Sequence, residues 1–294
     1  MLLTANFMLA KAMKLKSTGR ICFMLVSSST YTFLLFVLMM EQYITAYFWL
    51  ILCIYLLSEK RKLERLAFWG AGGSLLTSMI LLPLMSDKNP FRNLKAWIGD
   101  LIQYGLEFIL VLGIFARFDV IYSVFSKITA LNSFAGGSLT FGEKFQQYTA
   151  FIANCFFAPD AGINPNMNGI TSWQLNPVTA LSAAGLIILI LVAVSAFLNR
   201  KVISRLSDGW ILYSALLLVI VGWGTKENGL ILYSLYFGWP FLVLLFQLAE
   251  RIGKMLKLKY FVPIISLCCT FCLLYVNIPA ILQMIDFGIA YFPA

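Results

Sequence analysis

The chain has 294 residues, 61% of them hydrophobic and 12% charged, with a mean hydropathy of +0.85, whereas a soluble domain is roughly 45–50% apolar and about 25% charged. That composition excludes a water-soluble globule; at about 20 apolar residues per crossing the length holds roughly eight to ten membrane helices and no separate soluble domain of ordinary size. The net charge of +9 comes from 22 Lys and Arg against 13 Asp and Glu, an excess that cytoplasmic loops explain without nucleic acid, and the absence of histidine removes His metal ligands, His general bases and every Ser-His or Cys-His nucleophile pair.

At the N-terminus the apolar stretch 1–10 precedes Lys11, Lys14, Lys16 and Arg20, the reverse of a signal peptide. It reads either as the tail of a span emerging into the cytoplasm, with the chain a fragment of a longer one, or as a short interfacial helix. Eight apolar runs follow, over residues 21–40, 43–57, 66–85, 98–115, 179–198, 211–223, 229–249 and 260–284. Each is expected to be a helix, because an open sheet edge cannot face lipid. Glu41-Gln42 is the only polar break between the first two, which predicts a tight antiparallel hairpin.

Four basic clusters, at 11–20, 60–65, 200–205 and 251–259, hold 15 of the 22 basic residues and flank apolar runs directly. By the positive-inside rule all four are cytoplasmic, and the short loop 224–228 is then outside. Three runs between Arg65 and Arg200 cannot return the chain to the side it left. Either residues 141–157 supply a hidden crossing, or that segment lies flat in the interface and the run 98–115, with Asp100, Gln103 and Glu107, is the doubtful one. Thr140 and Glu143 form a capping-box pattern at the start of 141–157 and Pro159 ends it. Apolar Phe141, Phe145, Tyr148, Ile152 and Phe156 recur at helical spacing, with polar residues between them. The whole stretch 119–178, broken by Gly136-Gly137, Pro159, Gly162, Pro165, Gly169 and Pro177, is expected to be an outer, interfacial or short-span region. The fold expected is therefore all-α: one polytopic membrane domain of about eight or nine transmembrane helices plus interfacial helices, with four apolar segments in 21–118 and the last four spans in 179–294.

Ionisable groups within spans cost about 2.5–3.5 kcal/mol each on insertion scales and need a partner or a watery cavity. Asp100, Gln103 and Glu107 stand at i, i+3 and i+7, one stripe of a helix, so the two carboxylates are candidates for a general base, a cation site or a proton relay; equally, Asp100 suits a helix start and Glu107 an ion pair. The loop around Lys226 and Glu227 breaks the charge rule outside, and Lys226 is a candidate point charge for a lipid-linked phosphate; a capped hairpin turn is the plainer reading. Asp160, Trp173 and Gln174 are sugar-binding residue types, an aromatic face for the ring and polar groups for its hydroxyls, although Trp also anchors at interfaces. Arg92, with Lys88 and Lys95, forms a basic connector that suits anionic head groups.

The block GWGTKENGLILYSLYFGW over 222–239, together with NSFAGG (132–137), FFAPDAGI (156–163) and SWQL (172–175), resembles the carboxyl-terminal half of bacterial multi-spanning proteins that are similar to the GT-C class of membrane glycosyltransferases. The resemblance covers roughly residues 100–294. It implies transfer of a sugar from a polyprenyl-phosphate donor in cell-envelope glycan assembly, at the outer face of the bacterial cytoplasmic membrane, sometimes with a divalent cation. In that class the acidic catalytic motif lies in a large outer loop after the first span, where this chain has only Glu41-Gln42, so no catalytic residue transfers from the class. Asp100, Asp160 and Glu107 as catalytic groups, and Lys226, Glu227, Arg92, Trp173 and Gln174 as substrate or lipid-phosphate contacts, are chosen from their chemistry and placement alone. A transporter or flippase of a polar or lipid-linked solute, and a non-catalytic membrane scaffold, are the alternatives.

Overall fold

The computed structural model describes residues 1–39, 42–59, 67, 69–71, 94–116, 139–165, 171–176, 179–199, 201–223 and 229–291. Ten α-helices are defined among them: α1 Leu2–Ala12, α2 Ser17–Ser29, α3 Tyr31–Leu38, α4 Gln42–Ser58, α5 Leu94–Ala116, α6 Phe141–Asn154, α7 Thr179–Leu198, α8 Val202–Ala215, α9 Ser234–Met255 and α10 Phe261–Tyr291. The runs at 43–57, 98–115 and 179–198 fall inside α4, α5 and α7, and that at 260–284 falls inside α10 apart from Tyr260. The run at 66–85 lies almost wholly outside the described residues.

Four described helices are long and apolar enough to cross a membrane: Leu181–Leu198, Val202–Val221, Leu230–Met255 and Phe261–Tyr291. Their outer surfaces carry large aliphatic and aromatic side chains, with Phe197 and Tyr275 each 84% exposed, and Ile187, Ile190, Leu212, Ile220, Phe271 and Ile289 also stand out from the bundle. A water-soluble protein rarely leaves an apolar surface that extensive. The interior, by contrast, buries small polar residues such as Ser195, Ser204, Ser214, Ser234 and Asn277, the arrangement that holds helices together in lipid.

α9 is the central helix, packing on α4, α7, α8 and α10. Three hydrogen bonds tie it to its neighbours: Ser195 Oγ on α7 donates to the Leu244 carbonyl at 2.7 Å, Ser204 Oγ on α8 to Gln247 Oε1 at 2.7 Å, and the Trp210 indole on α8 to the Tyr236 carbonyl at 3.2 Å. α8 and α9 are antiparallel. The helix expected at 211–223 in fact starts at Val202, widens into a π-helical turn over Leu216–Val221 and stops at Gly222 in the left-handed region, φ 76°, where a residue with a Cβ is strained.

The run 21–40 is not one straight helix: α2 and α3 meet at 65°, as a broken span or a re-entrant loop. Ser27 and Ser29 donate their hydroxyls back to the Met24 and Leu25 carbonyls and Thr30 to that of Ser27, after which the Thr30 hydroxyl accepts the Phe33 N–H and caps α3. A run of hydroxyls competing with the helix ladder ends one helix and starts the next. The fold is helical, as expected, with one addition among the described residues: β1 Asp160–Pro165 and β2 Thr171–Asn176 form an antiparallel hairpin, where the Gly and Pro residues of the sequence suggested turns.

The segment 141–157 forms α6 over 14 residues, with the Thr140–Glu143 capping box in place. At about 1.5 Å per residue it is roughly 21 Å long, short of a hydrocarbon core about 30 Å thick, and it is not among the candidate spans. It bridges the bundle: Tyr148 bonds Ser214 on α8 at 2.9 Å, Thr149 bonds Ser182 on α7, and Phe156 just past its end accepts the Tyr31 N–H at 3.0 Å.

Candidate functional site

The basic residues on α1 and α2, at the α7–α8 junction and at the end of α9 gather at one end of the bundle. The start of α2, with Lys16 and Arg20, lies beside the end of α9, because a Cβ on Gly19 would stand 3.9 Å from Glu250 Oε1. Lys11 reaches the Tyr55 ring at the end of α4, 5.9 Å from its centroid. The α7–α8 junction, with Lys201, adjoins the last turns of α9 through the Ser195–Leu244 and Ser204–Gln247 bonds.

The opposite end is organised by α6, the α2–α3 break and the start of α9. Asn277, fully buried on α10, clamps it: its amide donates to the Ser29 and Phe156 carbonyls at 2.9 and 2.8 Å, and its carbonyl oxygen accepts the Ala158 N–H at 2.8 Å. Thr32 adds a bond to the Cys155 carbonyl at 3.0 Å. Nearby, the Trp223 indole donates to the Tyr233 hydroxyl at 2.9 Å, and the Tyr233 ring meets Tyr43 edge-on at 5.7 Å. Trp223 and Gly229, which flank the loop carrying Lys226 and Glu227, therefore belong to this end; Lys226, Glu227 and Arg92 themselves lie outside the described residues.

The β1–β2 hairpin leaves from the same end, directly after the Asn277 clamp, and β2 touches α10. In its register Asp160 is opposite Asn176, Gly162 opposite Gln174 and Ile163 opposite Trp173. Because positions alternate along a strand, Asp160, Asn164, Ser172, Gln174 and Asn176 occupy one row of the hairpin, while Ala161, Ile163, Trp173 and Leu175 occupy the other. By backbone register Asp160 and Gln174 belong to one row and Trp173 to the other.

Asp100 and Glu107 both fall on α5, as their spacing predicts, and Gln103 donates its amide to Glu107 Oε1 at 3.3 Å one turn away. Among the described residues, no group of three or more carboxylates or thiols is placed to hold a metal ion.

Sequence reading missed a small polar chamber of about 40 Å³ at the α2–α3 break, lined among others by Asn6, Thr30, Tyr47, Cys155, Ser234 and Trp239. Tyr47 donates to Asn6 Oδ1 across it at 2.7 Å. Among the described residues, the Ser234 hydroxyl and Trp239 indole N–H are buried with no protein partner. The one sequence signal was the hydroxyl run 27–30, since the other walls come from distant parts of the chain. No known family model, curated protein or solved structure matches this chain.

Proposed function

We propose that the chain is an integral protein of the bacterial cytoplasmic membrane, with about eight or nine crossings and its basic end and N-terminus in the cytoplasm. In this reading it is a GT-C-like glycosyltransferase, or the C-terminal part of one, moving a sugar from a polyprenyl-phosphate donor in cell-envelope glycan assembly. The observation that carries the reading is the hairpin: a row of Asp160, Gln174 and Asn176 at the end of the bundle away from the basic clusters. Chemistry on a lipid-linked sugar needs a base and neutral hydrogen-bonding groups at the membrane surface, and this row of the hairpin carries both residue types. Asp160 takes the proton from an acceptor hydroxyl, whose oxygen bonds the anomeric carbon as the bond from that carbon to the phosphate oxygen breaks. Gln174 holds sugar hydroxyls, Lys226 balances the phosphate charge, and Trp173 anchors the hairpin or stacks on a second ring. Asp100 and Glu107 on α5 are the alternative acid–base pair.

The test is replacement of the chromosomal gene by Asp160→Asn and Gln174→Ala variants, with envelope glycan and polyprenyl-phosphate sugars measured by mass spectrometry. Loss of glycan with accumulation of the lipid-linked donor is expected from Asp160→Asn; unchanged glycan with normal protein levels overturns the reading. A second reading, transport of a polar or lipid-linked solute, is favoured by the bent α2–α3 pair beside a polar chamber, since transport sites are often built at broken helices. It predicts uptake of an unaltered solute into sealed vesicles, insensitive to Asp160→Asn.

A further inference from the structure

We infer that the polar chamber at the α2–α3 break is a built water site, holding two or three ordered water molecules that complete the hydrogen bonding of the bent helix pair. This is independent of the glycosyltransferase reading. Three observations carry it.

The first is the pair of unpartnered donors. Ser234 is fully buried and Trp239 is 4% exposed, both line the chamber, and among the described residues neither the hydroxyl nor the indole N–H has a protein partner. A buried polar group left unpaired in this way costs about 1–3 kcal/mol, and a water oxygen satisfies either.

The second is size. A chamber of about 40 Å³ admits roughly three waters at 10–15 Å³ each, and is far too small for a sugar ring or a lipid head group.

The third is chemistry. Phe33, Phe156, Leu235 and Leu242 form the apolar part of the wall, and the polar part consists of hydroxyls, one amide, one thiol and one indole, with no carboxylate, lysine or arginine. A cation would find oxygen ligands but leave the Trp239 N–H unpaired, because that group only donates. An anion would find donors but no balancing charge, and an apolar guest would satisfy nothing. Water both donates and accepts. It sits where the helix ladder is interrupted at Thr30, the place where bilayer-embedded helices need their freed backbone groups satisfied.

Hydroxyl-radical footprinting with microsecond X-ray pulses reads this directly, because radicals generated from a bound water oxidise the side chains touching it. The full-length protein in lipid nanodiscs is exposed in sodium and in choline salts, and oxidation rates are read by mass spectrometry. Trp239 and Tyr47, which line the chamber, are expected to oxidise several-fold faster than Trp210 and Tyr148, which are also buried but lie outside it and bond protein atoms. Rates should be the same in both salts. Equal rates for the two pairs would overturn the proposal, as would protection of Trp239 by sodium alone, which would make the guest an ion. Ser234→Ala gives an independent readout. With water present, the thermal midpoint in detergent falls on loss of a hydrogen-bonding wall; in a dry chamber, removing an unpaired hydroxyl raises it.

Discussion

Asn277 shows how much one side chain can organise in a chain this apolar. It sits in the middle of α10, yet all three of its hydrogen bonds go to backbone groups of other segments, at Ser29, Phe156 and Ala158. Asn277→Ala strands those groups in a buried setting, so unfolding in detergent should show a loss of about 3 kcal/mol; a change near zero would mean that the clamp is dispensable. At the other extreme of exposure, Glu143 accepts both the backbone N–H and the hydroxyl of Thr140, each at 2.7 Å. The backbone bond first, and the hydroxyl second, hold its carboxyl below the ordinary value of 4.5. A depressed carboxyl stabilises the folded form above its unfolded value and loses that effect as pH falls through the folded value. Amide protection over the first turn of α6 should therefore be constant at neutral pH and fall on acidification below about pH 4, and Glu143→Gln should remove the pH dependence. The capping box was legible from the residues Thr140 and Glu143. Asn277 was not, because a lone Asn in a long apolar run names no partner until the chain is folded.

Among the elements, hydropathy located the helices far better than their breaks. α4, α5, α7 and α10 follow the apolar runs closely because run length and lipid leave little choice. The bend between α2 and α3 escaped, since an average over 20 residues is insensitive to four hydroxyls at 27–30. The start of α8 was hidden by Arg205 and Asp208, which lower the local hydropathy of a helix that continues through them. Packing between α6 and α7 depends on Gly185, where an added Cβ would collide with the Thr149 backbone carbonyl. Gly185→Ala should destabilise the fold by about 1–3 kcal/mol through overpacking. Gly288 on α10 has open space around it, and Gly288→Ala should be neutral or stabilise by up to about 1 kcal/mol through helix propensity. Thermal melts of the two variants side by side check both signs.

For the whole molecule, the charge pattern read from sequence and the packing agree on the ends. Clusters distant in the chain, around Lys11 to Arg20, Lys201 and Arg251 to Lys259, come to one end of the bundle, while the hairpin, the Asn277 clamp and the Trp223–Tyr233 pair form the other. The polarity of the candidate site was legible in Asp160 and Gln174, but their shared row, and the opposite placement of Trp173, required the strand register. The chamber was illegible in principle, because its walls come from residues as far apart as Asn6 and Trp239. In the reading proposed above, the bundle crosses the membrane with its basic end inside. Green fluorescent protein and alkaline phosphatase inserted in the full-length chain at Lys201, Gly222 and Lys257 measure this. The prediction is fluorescence without phosphatase activity at Lys201 and Lys257, and phosphatase activity without fluorescence at Gly222; the same side for all three would contradict it.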